Sequence, residues 1–286
     1  MNASLAPSGF VRVDGAKLRY AVEGAGTPVL VIGSSIYYPR TFARQLRQSL
    51  RLASIDVRHF GERDRSSASN AITLDTYAND IELLRAKLGM ERVVLVGHSH
   101  HGNLALEYAK RYPEAVTHLV LIGSPPCDVE TTIRVANAYW DAHASDTRKA
   151  ARRERWRKLT PERLDAMSPE ERIVAEYVAD GPKYWFDEHY DASWLWRGMP
   201  MNALLIARFR DFFMDYRLSW DAHQMTAPVL VITGRHDYVV PFTLWNDAAA
   251  TLPSFSSHLF ERSGHTPQLE EPELFNRVLL DWIRNV

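Results

Sequence analysis

The sequence predicts an α/β fold with a mostly parallel central sheet, helices on both faces, and a helical segment inserted between two of the strands. Three observations carry this. Short β-branched runs alternate with stretches of helical periodicity. Most of those runs are continuous in Val, Leu and Ile, as in strands buried on both faces. Between Pro125 and Ala227 the β-rich runs give way to helix-start signals.

In chain order, Phe10 to Val13 and Lys17 to Val22 flank the turn dipeptide Asp14-Gly15 and read as an antiparallel hairpin at the sheet edge. Four apolar runs follow as buried strands: Pro28 to Ile32, Leu52 to Val57, Arg92 to Val96 and His118 to Ile122. Tyr77, Ala78, Ile81, Leu84 and Leu88 recur at helical spacing before Gly89, a natural C-terminal stop. The inserted stretch opens helices at Thr160-Pro161-Glu162 and at Ser168-Pro169-Glu170-Glu171, the latter with capping-box spacing. It is rich in aromatics, among them Trp140, Trp185, Trp194, Trp196, Phe213 and Trp220. Its basic run from Arg148 to Lys158 reads as a solvated helix face. A fifth buried run, Pro228 to Thr233, and a strand from Ser257 to Phe260 return the chain to the sheet. Leu274, Phe275, Val278, Leu279, Trp282 and Ile283 then form one apolar stripe, a docking helix. The expected division is a core of residues 1–125 and 227–286 with an insertion at 126–226.

Composition narrows the function classes. The formal net charge of −1 gives no global attraction to nucleic acid or to an anionic membrane. Cys127 is the single cysteine, which excludes an intrachain disulfide and a four-cysteine zinc site. No run approaches 18 apolar residues, and Met1 to Gly15 carries no secretory-type apolar region. The expectation is a soluble cytoplasmic protein, monomer or homodimer, that meets a small-molecule substrate and neither nucleic acid nor membrane.

The chemistry concentrates in three segments. Arg92 to Leu106 is an apolar strand, a sharp turn at Gly97-His98-Ser99-His100, and a helix. A serine on such a turn exposes its hydroxyl above the sheet, with the next N–H at a helix N-terminus. Serine alone is a poor nucleophile and needs a base to take its proton and donors to hold an oxyanion. Gly234-Arg235-His236-Asp237 puts a carboxylate after the fifth buried run, and Ser263-Gly264-His265-Thr266-Pro267 puts an imidazole before the last helix. Ser99, Asp237 and His265 are therefore the candidate catalytic residues, in the chain order that this constellation takes on a parallel sheet. In that scheme His265 accepts the Ser99 proton and Asp237 fixes the imidazole. The cluster His98, His100 and His101 is not a metal site in this reading, because neighbours on a sharp turn diverge. No metal or organic cofactor is expected.

With these segments the chain resembles the α/β-hydrolase superfamily from about Phe10 to Trp282. Gly234 to Pro241 resembles the acid loop, Gly264 to Pro272 the histidine loop, and Asp56 to Gly61 the loop before the elbow; the insertion resembles the family's helical cap. Its aromatic content is similar to that of proline-iminopeptidase-related members. Three places depart from the pattern: His101 and His59 replace customary glycines, and Ile32-Gly33, followed by Ser34 and Ser35, stands where His-Gly is usual. The resemblance implies oxyanion donors at the backbone N–H groups of Ser34 and His100, the strand–helix contact at position 101 being crowded. Tyr37, Tyr38, Trp185, Trp194 and Trp196 are the candidate pocket walls.

The implied activity is a serine hydrolase that cleaves an ester, lactone or small amide through an acyl-enzyme. Serine at the elbow argues against dehalogenase and epoxide-hydrolase chemistry, which uses aspartate there. A proline-iminopeptidase-like enzyme is the nearest alternative, with Asp187, Glu188 and Asp191 as candidate amine ligands, but its Gly-Gly-Pro-Gly segment is absent. A carbon–carbon bond hydrolase uses the same triad. A non-enzymatic ligand receptor is the alternative from another class.

Overall fold

The computed structural model describes residues 8–63, 72–218, 226–248 and 254–286, so Trp220 of the insertion lies outside the described residues. The strands are β1 (Ser8–Val13), β2 (Ala16–Glu23), β3 (Thr27–Gly33), β4 (Leu50–Asp56), the short β5 (Glu62–Arg63), β6 (Val93–His98), β7 (Val116–Ile122), β8 (Val229–Gly234) and β9 (Phe255–Phe260). They form one sheet in the order β1-β2-β4-β3-β6-β7-β8-β9, with β5 paired to β2. The β1–β2 hairpin occupies the edge as an antiparallel pair that turns through Asp14-Gly15. From β4 to β9 every neighbour is parallel. Each continuous apolar run is buried along nearly its whole length. Helices cover both faces of such strands and leave no polar side to alternate toward.

Around the sheet lie α1 (Tyr37–Thr41), α2 (Leu74–Lys87), α3 (His100–Arg111), α4 (Val129–His143), α5 (Asp146–Arg157), α6 (Pro161–Asp165), α7 (Pro169–Ala179), α8 (Gly181–Tyr184), α9 (Ser193–Trp196), α10 (Ala203–Asp211), α11 (Trp245–Ala248), α12 (Pro267–Glu270) and α13 (Pro272–Asn285). The helical periodicity after Leu74 resolves into α2, which buries Tyr77, Ala78, Ile81 and Leu84 and ends at Gly89, φ 61°. Thr160 and Ser168 cap α6 and α7, the second in a reciprocal capping box with Glu171. The apolar stripe of α13 buries Phe275, Leu279 and Trp282. Among the described residues no helix is long and apolar enough to cross a membrane.

Between β7 and β8 the described chain is helical from α4 to α10. Its basic run departs from the solvated face expected of it. Arg148 is buried and donates to the carbonyls of Pro182 at 2.8 Å and Trp185 at 2.7 Å. Arg155 donates to those of Val178 at 2.8 Å and Glu188 at 3.0 Å, and Arg152 pairs with Asp180 at 2.7 Å. The helix ends and turns between 178 and 190 leave carbonyls open to further donors, and a multi-donor guanidinium satisfies several at once.

The order of β3 and β6 places the site. The chain runs from β3 to β4 on one side and reaches β6 on the other, with Ile32 beside Gly97. In open parallel sheets, side chains converge in the crevice at such a reversal, beyond the carboxyl ends of the strands. Ser34, Ser99, Asp237 and His265 all follow those ends, at β3, β6, β8 and β9.

Candidate active site

Ser99 joins β6 to α3 with φ 55° and ψ −136°, a conformation that non-glycine residues rarely adopt. Its N–H donates to the Ile122 carbonyl and its own carbonyl accepts from the Gly102 N–H, both at 2.9 Å. The backbone is thus pinned on each side of the turn, while the hydroxyl, on the cavity wall, is uncommitted among the described residues. The close strand–helix contact falls at Gly102, one residue later than the family pattern suggests. A Cβ there would lie 1.9 Å from the Ser124 hydroxyl, whereas the His101 side chain points away from β7, toward Gly33. The crowding expected at position 101 therefore does not arise.

Asp237 is fully buried, and its Oδ1 accepts the N–H groups of Val239 at 2.9 Å and Val240 at 2.8 Å. Its Oδ2 lies 2.7 Å from His265 Nδ1. With both carboxylate oxygens acting as acceptors, the ring proton sits on Nδ1 and leaves Nε2 as an acceptor. The His265 backbone is held by the Tyr184 carbonyl at 2.6 Å. Gly123, with φ 51°, lets the ring approach, since a Cβ there would lie 3.0 Å from His265 Nδ1. Ser99 and His265 line one cavity of about 390 Å³.

Ser34 and His100 line the same cavity. The Ser34 hydroxyl accepts the N–H groups of Ile36 and Tyr37, each at 3.1 Å, and Asp56 Oδ1 accepts the Ser35 N–H at 2.6 Å. These bonds turn the loop so that, among the described residues, the Ser34 N–H is left without an acceptor. The His100 N–H opens α3 and has no intrahelical partner. The His100 ring stacks on Phe213 and donates from Nδ1 to Asn103 Oδ1 at 3.3 Å, because the Asn103 amide is itself committed to the Pro125 carbonyl. Burial, with the charges of His265 and Arg210 in the same sense, lowers this imidazole to about 4.

Tyr37, Tyr38, Trp185 and Trp196 are cavity walls; Trp194 is not. On the short helix α9, Leu195 points into the core and Trp196 toward the cavity. Trp194 consequently faces out, more than a third exposed, with its indole N–H on the Tyr190 hydroxyl at 3.0 Å. Asp187 and Asp191 accept nearby backbone N–H groups and Glu188 pairs with Arg148, so none of the three reaches the cavity.

The two histidines that stand at customary glycine positions meet each other. His59 Nε2 and His101 Nε2 are 3.1 Å apart with the rings stacked, His101 Nδ1 is 3.1 Å from the Tyr38 hydroxyl, and His59 Nδ1 is 3.1 Å from that of Tyr77. The Tyr38 hydroxyl also lies 3.4 Å from His98 Nδ1, while His98 Nε2 sits 2.8 Å from the His265 carbonyl. That carbonyl can only accept, which fixes every proton. His98 donates from Nε2, Tyr38 donates to His98, His101 donates from Nδ1 to Tyr38, His59 donates from Nε2 to His101, and Tyr77 donates to His59. Neutral rings are required throughout. Burial supplies them, holding His101 at about 3 and sending His59 and His98 well below the ordinary imidazole range.

Sequence reasoning missed several supports. Glu270 accepts the N–H groups of Gly264 at 3.0 Å, Thr266 at 3.2 Å and Phe186 at 2.7 Å, which clasps the His265 loop to the helical segment. Burial pushes its carboxyl up to about 7 and that of Asp56 up to about 6. A carboxylate a few residues after His265 was visible in the sequence, but its three acceptor contacts were not.

A family model described as alpha/beta hydrolase fold matches residues 25–272. The AB hydrolase superfamily protein YclE of Bacillus subtilis is 34% identical over 278 residues, which cover 96% of this chain and 98% of YclE. A proline iminopeptidase of Heyndrickxia coagulans is 26% identical over 305 residues, covering 97% of this chain and 99% of that protein. Among solved structures, an esterase from Exiguobacterium antarcticum superposes with a TM-score of 0.71 at 21% identity, over 96% of this chain and 99% of the esterase, a likeness of fold alone.

Proposed function

With the chain belonging to the α/β-hydrolase family, we propose that it cleaves small esters, lactones or activated amides through Ser99, His265 and Asp237. The observation that carries this is the buried 2.7 Å contact of His265 with Asp237, on the wall of the cavity that holds the strained Ser99 turn. His265 Nε2 takes the hydroxyl proton as Ser99 Oγ bonds to the carbonyl carbon, and the oxyanion falls to the N–H groups of Ser34 and His100. His265 returns the proton to the leaving group as its bond breaks, and water repeats the sequence on the acyl-enzyme. Each step is carried by these side chains and two backbone donors.

The helical segment 126–226 acts in this scheme as a cap. Val129, Thr132, Tyr177, Trp185, Trp196 and Phe209 roof the cavity, whose volume is in the range of small-molecule sites. An ester is favoured over a peptide with a free amino terminus, because among the described residues no Asp or Glu lines the cavity to hold an ammonium.

A fluorophosphonate should label Ser99. Ser99→Ala and His265→Ala should each lower kcat on p-nitrophenyl butyrate by about a thousandfold or more. A loss under about tenfold would overturn the triad.

A further inference from the structure

The three histidine rings His59, His98 and His101 that line the cavity have no donor to spare, since both ring nitrogens of each are used within their own chain of hydrogen bonds. The mouth is different. Among the described residues that line the cavity, Arg210 supplies the one permanently charged side chain. It stands in the last turn of α10, on the face whose Ile206 and Phe209 also line the cavity, so an apolar stripe ends in a guanidinium.

Several arginines of this helical segment are already committed. Arg148, Arg152 and Arg155 hold carbonyls or carboxylates, and Arg172 pairs with Glu176. Arg210 is not: among the described residues its guanidinium has neither an ion-pair partner nor a hydrogen-bond acceptor. Its charge acts on both His100, which opens α3, and Tyr177 of α7, two other lining residues of the cavity.

We propose that Arg210 is a carboxylate subsite, so that the preferred substrate carries an apolar body into the cavity and leaves an anionic group at its mouth. One planar fork of N–H donors matches a carboxylate in two parallel bonds, whereas a phosphate dianion calls for more cationic partners than this rim contains. The assignment rests on the cavity being the substrate site of the proposed hydrolase, and it names the substrate class of that site.

The test is binding of hydrocinnamate against its neutral isostere hydrocinnamide, measured by calorimetry on the full chain at low ionic strength. Wild type should prefer the carboxylate by about tenfold, the size of one charge-assisted contact discounted for solvent exposure. In Arg210→Gln the preference should fall to about one, and in Arg210→Lys part of it should remain; added salt should erode it in wild type. Equal affinities in wild type, no binding of hydrocinnamate, or a preference that survives Arg210→Gln each overturns the proposal. Fluorophosphonate labelling of Ser99 reports separately on the hydrolase. A preference without labelling breaks the triad and keeps the subsite, and labelling without a preference does the reverse.

Discussion

The pairing of His59 with His101 predicts a specific energetic coupling. Their Nε2 atoms are 3.1 Å apart on the cavity wall, His59 is buried and His101 partly buried, and neither ring has another partner for that nitrogen. His101→Ala deletes an acceptor for the His59 N–H and a donor to Tyr38, leaving a buried donor unpaired at about 1–3 kcal/mol, besides the packing lost with the ring. His59→Ala orphans the His101 acceptor in the same way. In the double variant neither Nε2 is left facing a missing partner, so its cost should fall short of the sum of the singles by about 1–2 kcal/mol. Urea unfolding of the four proteins at pH 8, where every imidazole involved is neutral, measures this directly. Additivity within about 0.5 kcal/mol would falsify the hydrogen-bonded pair and reduce the two rings to independent packing.

Gly102→Ala should loosen α3 from β7 and cost about 1–3 kcal/mol together with most esterase turnover, because its Cβ would fall 1.9 Å from a Ser124 hydroxyl bonded to the Ile122 carbonyl. Adding Ser124→Gly should restore both melting temperature and turnover, and failure of that rescue would place the constraint elsewhere. Stability should also decline steeply in mild acid. His59 and His98 sit well below 6.5, His100 near 4 and His101 near 3, so the unfolded chain takes up these protons first and stability is lost as pH drops below about 6.5. Asp56 and Glu270, raised to about 6 and 7, act in the opposite sense, with native stability lost as pH rises through those values. Near pH 5 the imidazoles outweigh the carboxyls by roughly two protons, about 3 kcal/mol per pH unit, and the urea midpoint should fall from a plateau above about pH 7.5. A midpoint still level at pH 5 would mean the rings are charged in the native state.

The parallel core was legible because the physics is local to each run. A strand buried on both faces must be apolar throughout, as β3, β6 and β8 are, and a helix must satisfy its first N–H groups, as Thr160 and Ser168 do. Legibility ended where a side chain answers to something distant. Arg148 reads as a solvated residue within a basic run, yet the carbonyls that draw it inward lie more than 30 residues later, in and just after the short helix α8. Trp194 and Trp196 are indistinguishable by composition, and only the rotation of a four-residue helix sends one to solvent and the other to the cavity. The loop order of Ser99, Asp237 and His265 could be read from the chain, whereas the clasp of Glu270 on both neighbours of His265 depends on how α12 folds back.

The same distinction explains the two departures from the family's glycines. Taken singly, a histidine at position 59 or at position 101 places a polar ring in a buried crevice, at a cost that either change alone would bear in full. The positions are 42 residues apart in sequence, and in the fold each ring supplies the group that the other lacks. The chain continues through Tyr38 and His98 to the His265 carbonyl, so the substitution pair is anchored to the loop that carries the proposed base. Rings joined this way offer no free donor to a substrate beyond the serine hydroxyl and the two backbone N–H groups assigned to the reacting carbonyl. That wall therefore receives an apolar group despite its polar composition, and the burden of recognising a polar one falls on the entrance, where Arg210 stands without a partner among the described residues.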